Sequence, residues 1–139
     1  MKAERTFWEK ATAVHVFCRI SKPVADHNAR HWYDLERLDA KGIVAAGMAD
    51  GDLAGQVADH KSLFFRFKGS DGEWIDYHSA VQGKLQIVPQ GDHLKELEDD
   101  YAAMQADGLL PQDALSFARL IERCQAIEAK INDARAPAK

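Results

Sequence analysis

Thr6-Phe7-Trp8-Glu9-Lys10-Ala11-Thr12-Ala13-Val14-His15-Val16-Phe17-Cys18-Arg19-Ile20 decides the fold class. Phe7, Ala11, Val14 and Cys18 recur at steps of four, three and four, which places them on one face of a helix. Thr6 is positioned to cap that helix, with Glu9 completing a capping box. Ser21-Lys22-Pro23 ends it, because proline disfavours helical geometry in the residue before it.

The same period continues downstream. A second helix is predicted from about Asp26 to Asp39, with Trp32, Leu35 and Leu38 or Asp39 along one side and Lys41-Gly42 closing it. Ile43–Met48 reads as a short helix. Asp50-Gly51-Asp52 then caps another, whose apolar stripe is Leu53, Val57, Phe64 and Phe67 up to Lys68. Gly69-Ser70-Asp71-Gly72 is a turn. Between Trp74 and Val88 the pattern predicts a short helix near Asp76–Ala80, then an extended Leu85–Val88 ended by Pro89. Two long helices follow, one on Leu94, Leu97, Tyr101 and Met104, stopping at Asp107-Gly108, the other on Leu120, Cys124, Ile127 and Ile131. The expectation is a mainly α, single compact domain of about five to seven helices. At most a short extended or hairpin segment interrupts it near residues 74–89. The tail at residues 134–139 is expected to fray.

Composition narrows the function classes. The 139-residue chain is 46% hydrophobic and 29% charged, as globular proteins are. Its 18 Lys and Arg against 22 Asp and Glu give a formal charge of −4, which argues against a free-standing, non-specific nucleic-acid binder. A local basic face remains compatible with that balance. No apolar run approaches a membrane span and no leader opens the chain, so a cytoplasmic location is expected. Cys18 and Cys124 are far apart on apolar helical positions, with neither disulfide nor zinc spacing, and read as small buried hydrophobes.

Four blocks carry a resemblance: Arg5-Thr6-Phe7-Trp8-Glu9-Lys10-Ala11, Arg30-His31-Trp32-Tyr33-Asp34-Leu35, His60-Lys61-Ser62-Leu63-Phe64-Phe65-Arg66 and Leu85-Gln86-Ile87-Val88-Pro89. In this order they resemble the C-terminal half of the AbiEii/AbiGii-type nucleotidyltransferase toxins, over Glu4 to Asn132. Those toxins begin with a Gly-Ser turn and an Asp-x-Asp pair that hold metal and nucleotide. The resemblance therefore implies a helical C-terminal lobe, residues 1–133, of an enzyme transferring a nucleotide from an NTP to an RNA acceptor such as tRNA. It implies Mg²⁺ and NTP as cofactors of the complete enzyme and none for this chain alone. The expected partners are a missing N-terminal nucleotidyltransferase lobe, possible tRNA, and a second copy through an exposed cleft face. The chain alone is expected to be inactive. The alternative is a non-catalytic helical binding or dimerisation module.

Several side chains could carry chemistry. Lys10 flanks the apolar stripe of the first helix, where it either snorkels from the core edge or delivers its ammonium into a cleft to neutralise phosphates. Periodicity alone favours snorkelling; by resemblance Lys10 falls on the toxins' active-site lysine. Asp34 has Arg30 four residues before it and Arg37 three after. It is either one rung of a surface ion-pair ladder, contributing a few tenths of a kcal/mol per pair, or an ionised carboxylate that organises the site. By resemblance it matches an aspartate close to the active site. Arg30, Lys61 and Arg66 are candidates for nucleotide or RNA phosphates, the last two not sharing a helical stripe.

Other patterns are weaker. His27 and His31 have a spacing that can bind metal, but no third ligand is evident and no metal site is expected. Asp50-Gly51-Asp52 reads as a turn and helix cap despite its Asp-x-Asp form, and Gly69-Ser70 as a hairpin-like turn.

Overall fold

A computed structural model describes residues 3–21 and 29–135, with side chains to residue 134. It is mainly α-helical: α1 (Ala3–Arg19), α2 (Ala29–Ala40), α3 (Ile43–Ala49), α4 (Gly51–Phe64), α5 (Tyr77–Ser79), α6 (Asp92–Ala106) and α7 (Phe117–Arg135). α5 widens into a π-type turn over Ala80–Lys84, broken at Gln82 and at Gly83 with φ 117°. The one paired extended contact among the described residues is an antiparallel bridge from Lys68 to Trp74, across the turn at Gly69–Gly72.

α1 is the centre of the molecule and packs against α2, α3, α4 and the π turn, while α7 covers α2, α3 and the π turn from the other side. Its apolar face carries Phe7, Trp8, Ala11 and Val14, all fully buried. Trp8 donates its indole N–H to the Gly47 carbonyl at 3.0 Å, locking α1 to α3. Gly47 allows that approach, since a Cβ there would lie 3.0 Å from the Phe7 ring and 3.3 Å from the Trp8 nitrogen. The α7 stripe of Leu120, Cys124, Ile127 and Ile131 is buried as the spacing predicts, and so are Leu97, Tyr101 and Met104 of α6.

Two local readings differ from the structure. α1 begins at Ala3, so Thr6 lies inside the helix; Glu4 in the first turn suits the positive helix end. α4 stops at Phe64, and its buried stripe is Ala54, Val57, Ala58 and Lys61. Small residues on that side let α4 approach α1, while Phe64 and Phe67 are 69% and 44% exposed, so the predicted stripe does not continue. Ala134 and Arg135 complete α7; the rest of the expected frayed tail lies outside the described residues, as do Lys22, Pro23 and the start expected for α2.

Asp50 caps α4 as read, its carboxylate accepting the Leu53 N–H at 3.0 Å. Asp76 likewise caps α5. Leu85–Val88 is extended, yet side chains take the place of a neighbouring strand. Asn132 accepts the Leu85 N–H at 2.9 Å and donates to the Leu85 carbonyl at 2.8 Å. Glu128 accepts the Ile87 N–H at 2.7 Å, and Trp32 donates to the Ile87 carbonyl at 2.7 Å. His15 accepts the Gln86 N–H on Nδ1 at 2.9 Å. The Leu85 and Ile87 backbone groups and the Gln86 N–H of this segment are thus satisfied by side chains of α1, α2 and α7. The Val88 carbonyl accepts from the segment's own Gln86 side chain. Among the described residues no helix is long and apolar enough to cross a membrane.

Candidate functional site

A cleft of about 690 Å³ opens between α1, α4 and the segment after α4. α1 contributes Thr6, Glu9, Lys10, Ala13 and Val16, one turn apart along the face adjoining its buried stripe. His31 enters from α2, His60 and Lys61 from α4, and Phe65, Phe67 and Tyr77 form an aromatic wall. A smaller recess of about 240 Å³ shares Thr6 and Lys10 and reaches Asp34 and Arg37.

Two ion pairs organise this surface. Lys10 Nζ lies 2.9 Å from Asp34 Oδ2, with the side chains 24% and 21% exposed. Arg30 approaches the other Asp34 oxygen at 3.7 Å from a 57% exposed position. Lys61, inward-facing on α4, lies 3.4 Å from Glu9 Oε2 and 4.8 Å from the Phe65 ring centroid. Glu9 also meets Arg5 at 3.6 Å. Each cleft lysine is thus held by a carboxylate rather than waving in solvent, which lowers the entropy cost of presenting its charge to a ligand.

His31 sits among these charges. Burial pushes its pKa below the usual 6.5, and the nearby lysines, Lys10 foremost, push the same way against the pull of Asp34. Its Nδ1 is enclosed and has no hydrogen-bond partner among the described residues. Tyr77 does not leave its hydroxyl free for the cleft, since it donates to the Phe65 carbonyl at 2.5 Å.

The sequence candidates therefore separate. Lys10, Asp34 and Arg30 come together, and Lys61 joins Lys10 in the cleft although it had shared no motif with it. Arg66 does not: its guanidinium stacks on Trp74, 4.4 Å from the ring centroid, and lines a separate recess with Ser62 and Ile75. Arg37 does not clasp Asp34 either, because it forms two hydrogen bonds with the buried carboxylate of Glu36. Lys10, from another helix, takes that place. His31, His60, Phe65, Phe67 and Tyr77 escaped the sequence reading as site residues. His31 carried one usable signal, its place three residues before Asp34 on the same helix; the aromatic wall carried none, since it forms where α4 ends.

Mg²⁺ finds no ready ligand set here. The carboxylates at the cleft, Asp34 and Glu9, are each already neutralised by lysine and arginine. Among the described residues no three His, Cys, Asp or Glu side chains stand close enough to hold a metal ion. Of the His27–His31 pair, His27 lies outside the described residues.

A family model described as nucleotidyl transferase AbiEii toxin, type IV toxin–antitoxin system, matches residues 1–130. No curated protein and no solved structure matches the chain. The extent of the family match corrects the expectation of a C-terminal half. It begins at residue 1 and covers nearly the whole chain, so a missing N-terminal lobe is not supported as a partner, nor is the reading of the chain as a lobe inactive for want of it. That expectation rested on the absence of a Gly-Ser…Asp-x-Asp pattern, which is weak ground for dividing a protein. Self-association through a face that the lobe would have covered, and tRNA as its partner, lose their premise with it.

Proposed function

The chain belongs to the AbiEii nucleotidyltransferase toxin family, and from that premise we propose that the Lys10 cleft binds the phosphates of a nucleoside triphosphate for nucleotidyl transfer. The observation that carries this reading is the convergence of Lys10 and Lys61, from different helices, on one cleft with an aromatic wall. Two ammonium groups held by carboxylates supply positive charge where a phosphate chain needs it. Phe65 and Phe67 supply the apolar surface a base can lie against.

In the transfer itself, an acceptor hydroxyl attacks the α-phosphorus, a new P–O bond forms, the bond to the bridging oxygen breaks and pyrophosphate leaves. The hydroxyl proton passes to solvent. Negative charge grows on the phosphoryl oxygens and on the leaving group, and fixed cations stabilise it without reorganising. Lys10 takes this role. Asp34 keeps the Lys10 ammonium in place from 2.9 Å, and Arg30 in turn shares the second carboxylate oxygen.

The test uses the whole chain, titrated calorimetrically with each NTP and assayed for pyrophosphate release with a cell extract as the acceptor pool. Lys10→Met keeps the stem packed on α1 and removes the charge. It is expected to lower turnover by about a hundredfold while leaving the thermal midpoint within a few degrees. Unchanged NTP affinity and turnover in Lys10→Met would overturn the reading.

A further inference from the structure

His31 lines the cleft without taking part in the ion pairs that organise it. Its ring lines the cleft, while Nδ1 is enclosed and has no hydrogen-bond partner among the described residues. An enclosed N–H without an acceptor is costlier than an enclosed lone pair, because the donor loses its water and gains nothing. That asymmetry favours the tautomer with Nδ1 unprotonated and the ring proton on Nε2. A second proton on Nδ1 is opposed by enclosure first and by the positive charges of Lys10 and Lys61, against the pull of Asp34. His31 is also tied to the site by sequence, since Arg30 and Asp34 flank it on α2.

We propose that His31 is a neutral Nε2–H donor, fixed in one tautomer by the unpaired and enclosed Nδ1, that binds a phosphate oxygen of the nucleotide between Lys10 and Lys61. This rests on the nucleotide reading of the cleft and adds a positioning residue to it. The geometry gives the role a purpose. Two lysines supply charge but little direction, since an ammonium rotates freely among acceptors. A ring locked by its surroundings supplies one directed hydrogen bond and so orients the phosphate chain along the cleft.

The two amide isosteres separate this role from simple packing. Glutamine places its terminal NH₂ near the position of Nε2, whereas asparagine reaches only to that of Nδ1. Binding of ATP to the full-length chain is measured by calorimetry for the unaltered protein, His31→Gln and His31→Asn, beside ¹⁵N-resolved imidazole spectra of the free protein at pH 7. The expected results are an Nε2–H tautomer, ATP affinity of His31→Gln within about threefold of the unaltered chain, and a loss of about tenfold or more in His31→Asn. An Nδ1–H tautomer or an imidazolium at pH 7 overturns the proposal, as does equal affinity of the two variants, whether both are weakened or neither is. If the unaltered chain binds no ATP, the nucleotide reading itself fails. If it binds ATP and the variants fail to separate, only the role of His31 fails.

Discussion

His15 shows how one residue couples the core to pH. It is 6% exposed on α1, and burial, aided by the charge of Arg19, lowers its pKa from 6.5 to about 4. Neutrality is required, because Nδ1 accepts the Gln86 N–H and a proton there would break that bond. The unfolded chain takes up the proton first as pH falls, so this contribution is complete above about pH 6.5 and is lost progressively toward pH 4. His15→Asn keeps an acceptor near Nδ1 and removes the titration. The drop in urea-unfolding free energy between pH 7 and pH 4.5 is expected to be smaller in this variant by about 1–3 kcal/mol. An identical drop in both proteins would show that His15 does not titrate with folding. Asp34 teaches a different lesson at the same scale. The sequence placed two arginines within reach, and the folded chain uses one of them and a lysine from another helix.

Among the elements, the extended Leu85–Val88 depends most on others. A strand normally satisfies its backbone on a neighbour; here Asn132 alone closes two hydrogen bonds with Leu85, whose side chain is 2% exposed. Asn132→Ala strands a donor and an acceptor at once in a partly buried place. A loss of about 2–4 kcal/mol in chemical denaturation is expected, with an unchanged helical circular dichroism signal in the folded baseline. A loss under about half a kcal/mol would mean that water replaces the amide without penalty. The extended character of this segment was readable from Leu85–Val88 and Pro89. Its partners were not, since they come from helices far away in sequence. α4 shows the opposite error: its apolar period predicted a stripe through Phe64 and Phe67, but the helix ends and the stripe moves to Ala54, Val57, Ala58 and Lys61.

For the whole molecule, the thiols report whether the helices come apart together. Cys18 on α1 and Cys124 on α7 are both free, and burial raises both pKa values, that of Cys124 to about 12. Cys124 lies in the core and Cys18, half-buried, packs against it. Thiolate is scarce and Cys124 is reached only when the core around α7 opens. Cys124 is therefore expected to react with a thiol reagent at a slow rate set by global unfolding, and half-buried Cys18 faster. Rapid modification of Cys124 would reveal that α7 opens separately. The sequence by itself determined the helices, their buried stripes on α1, α6 and α7, and the candidacy of Lys10 and Asp34. The helices and stripes follow from side-chain spacing within a helix, where hydrogen bonds join residues four apart and apolar period sets the inward face. The candidacy of Lys10 and Asp34 follows instead from the family resemblance. Only the tertiary structure decided that Lys10 clasps Asp34, that Lys61 turns into the cleft while Arg66 stacks on Trp74, and that His31 is enclosed beside them. Such pairings depend on how closely one helix approaches another, and residues as small as Gly47 and Ala54 set that distance without leaving a periodic signal of their own.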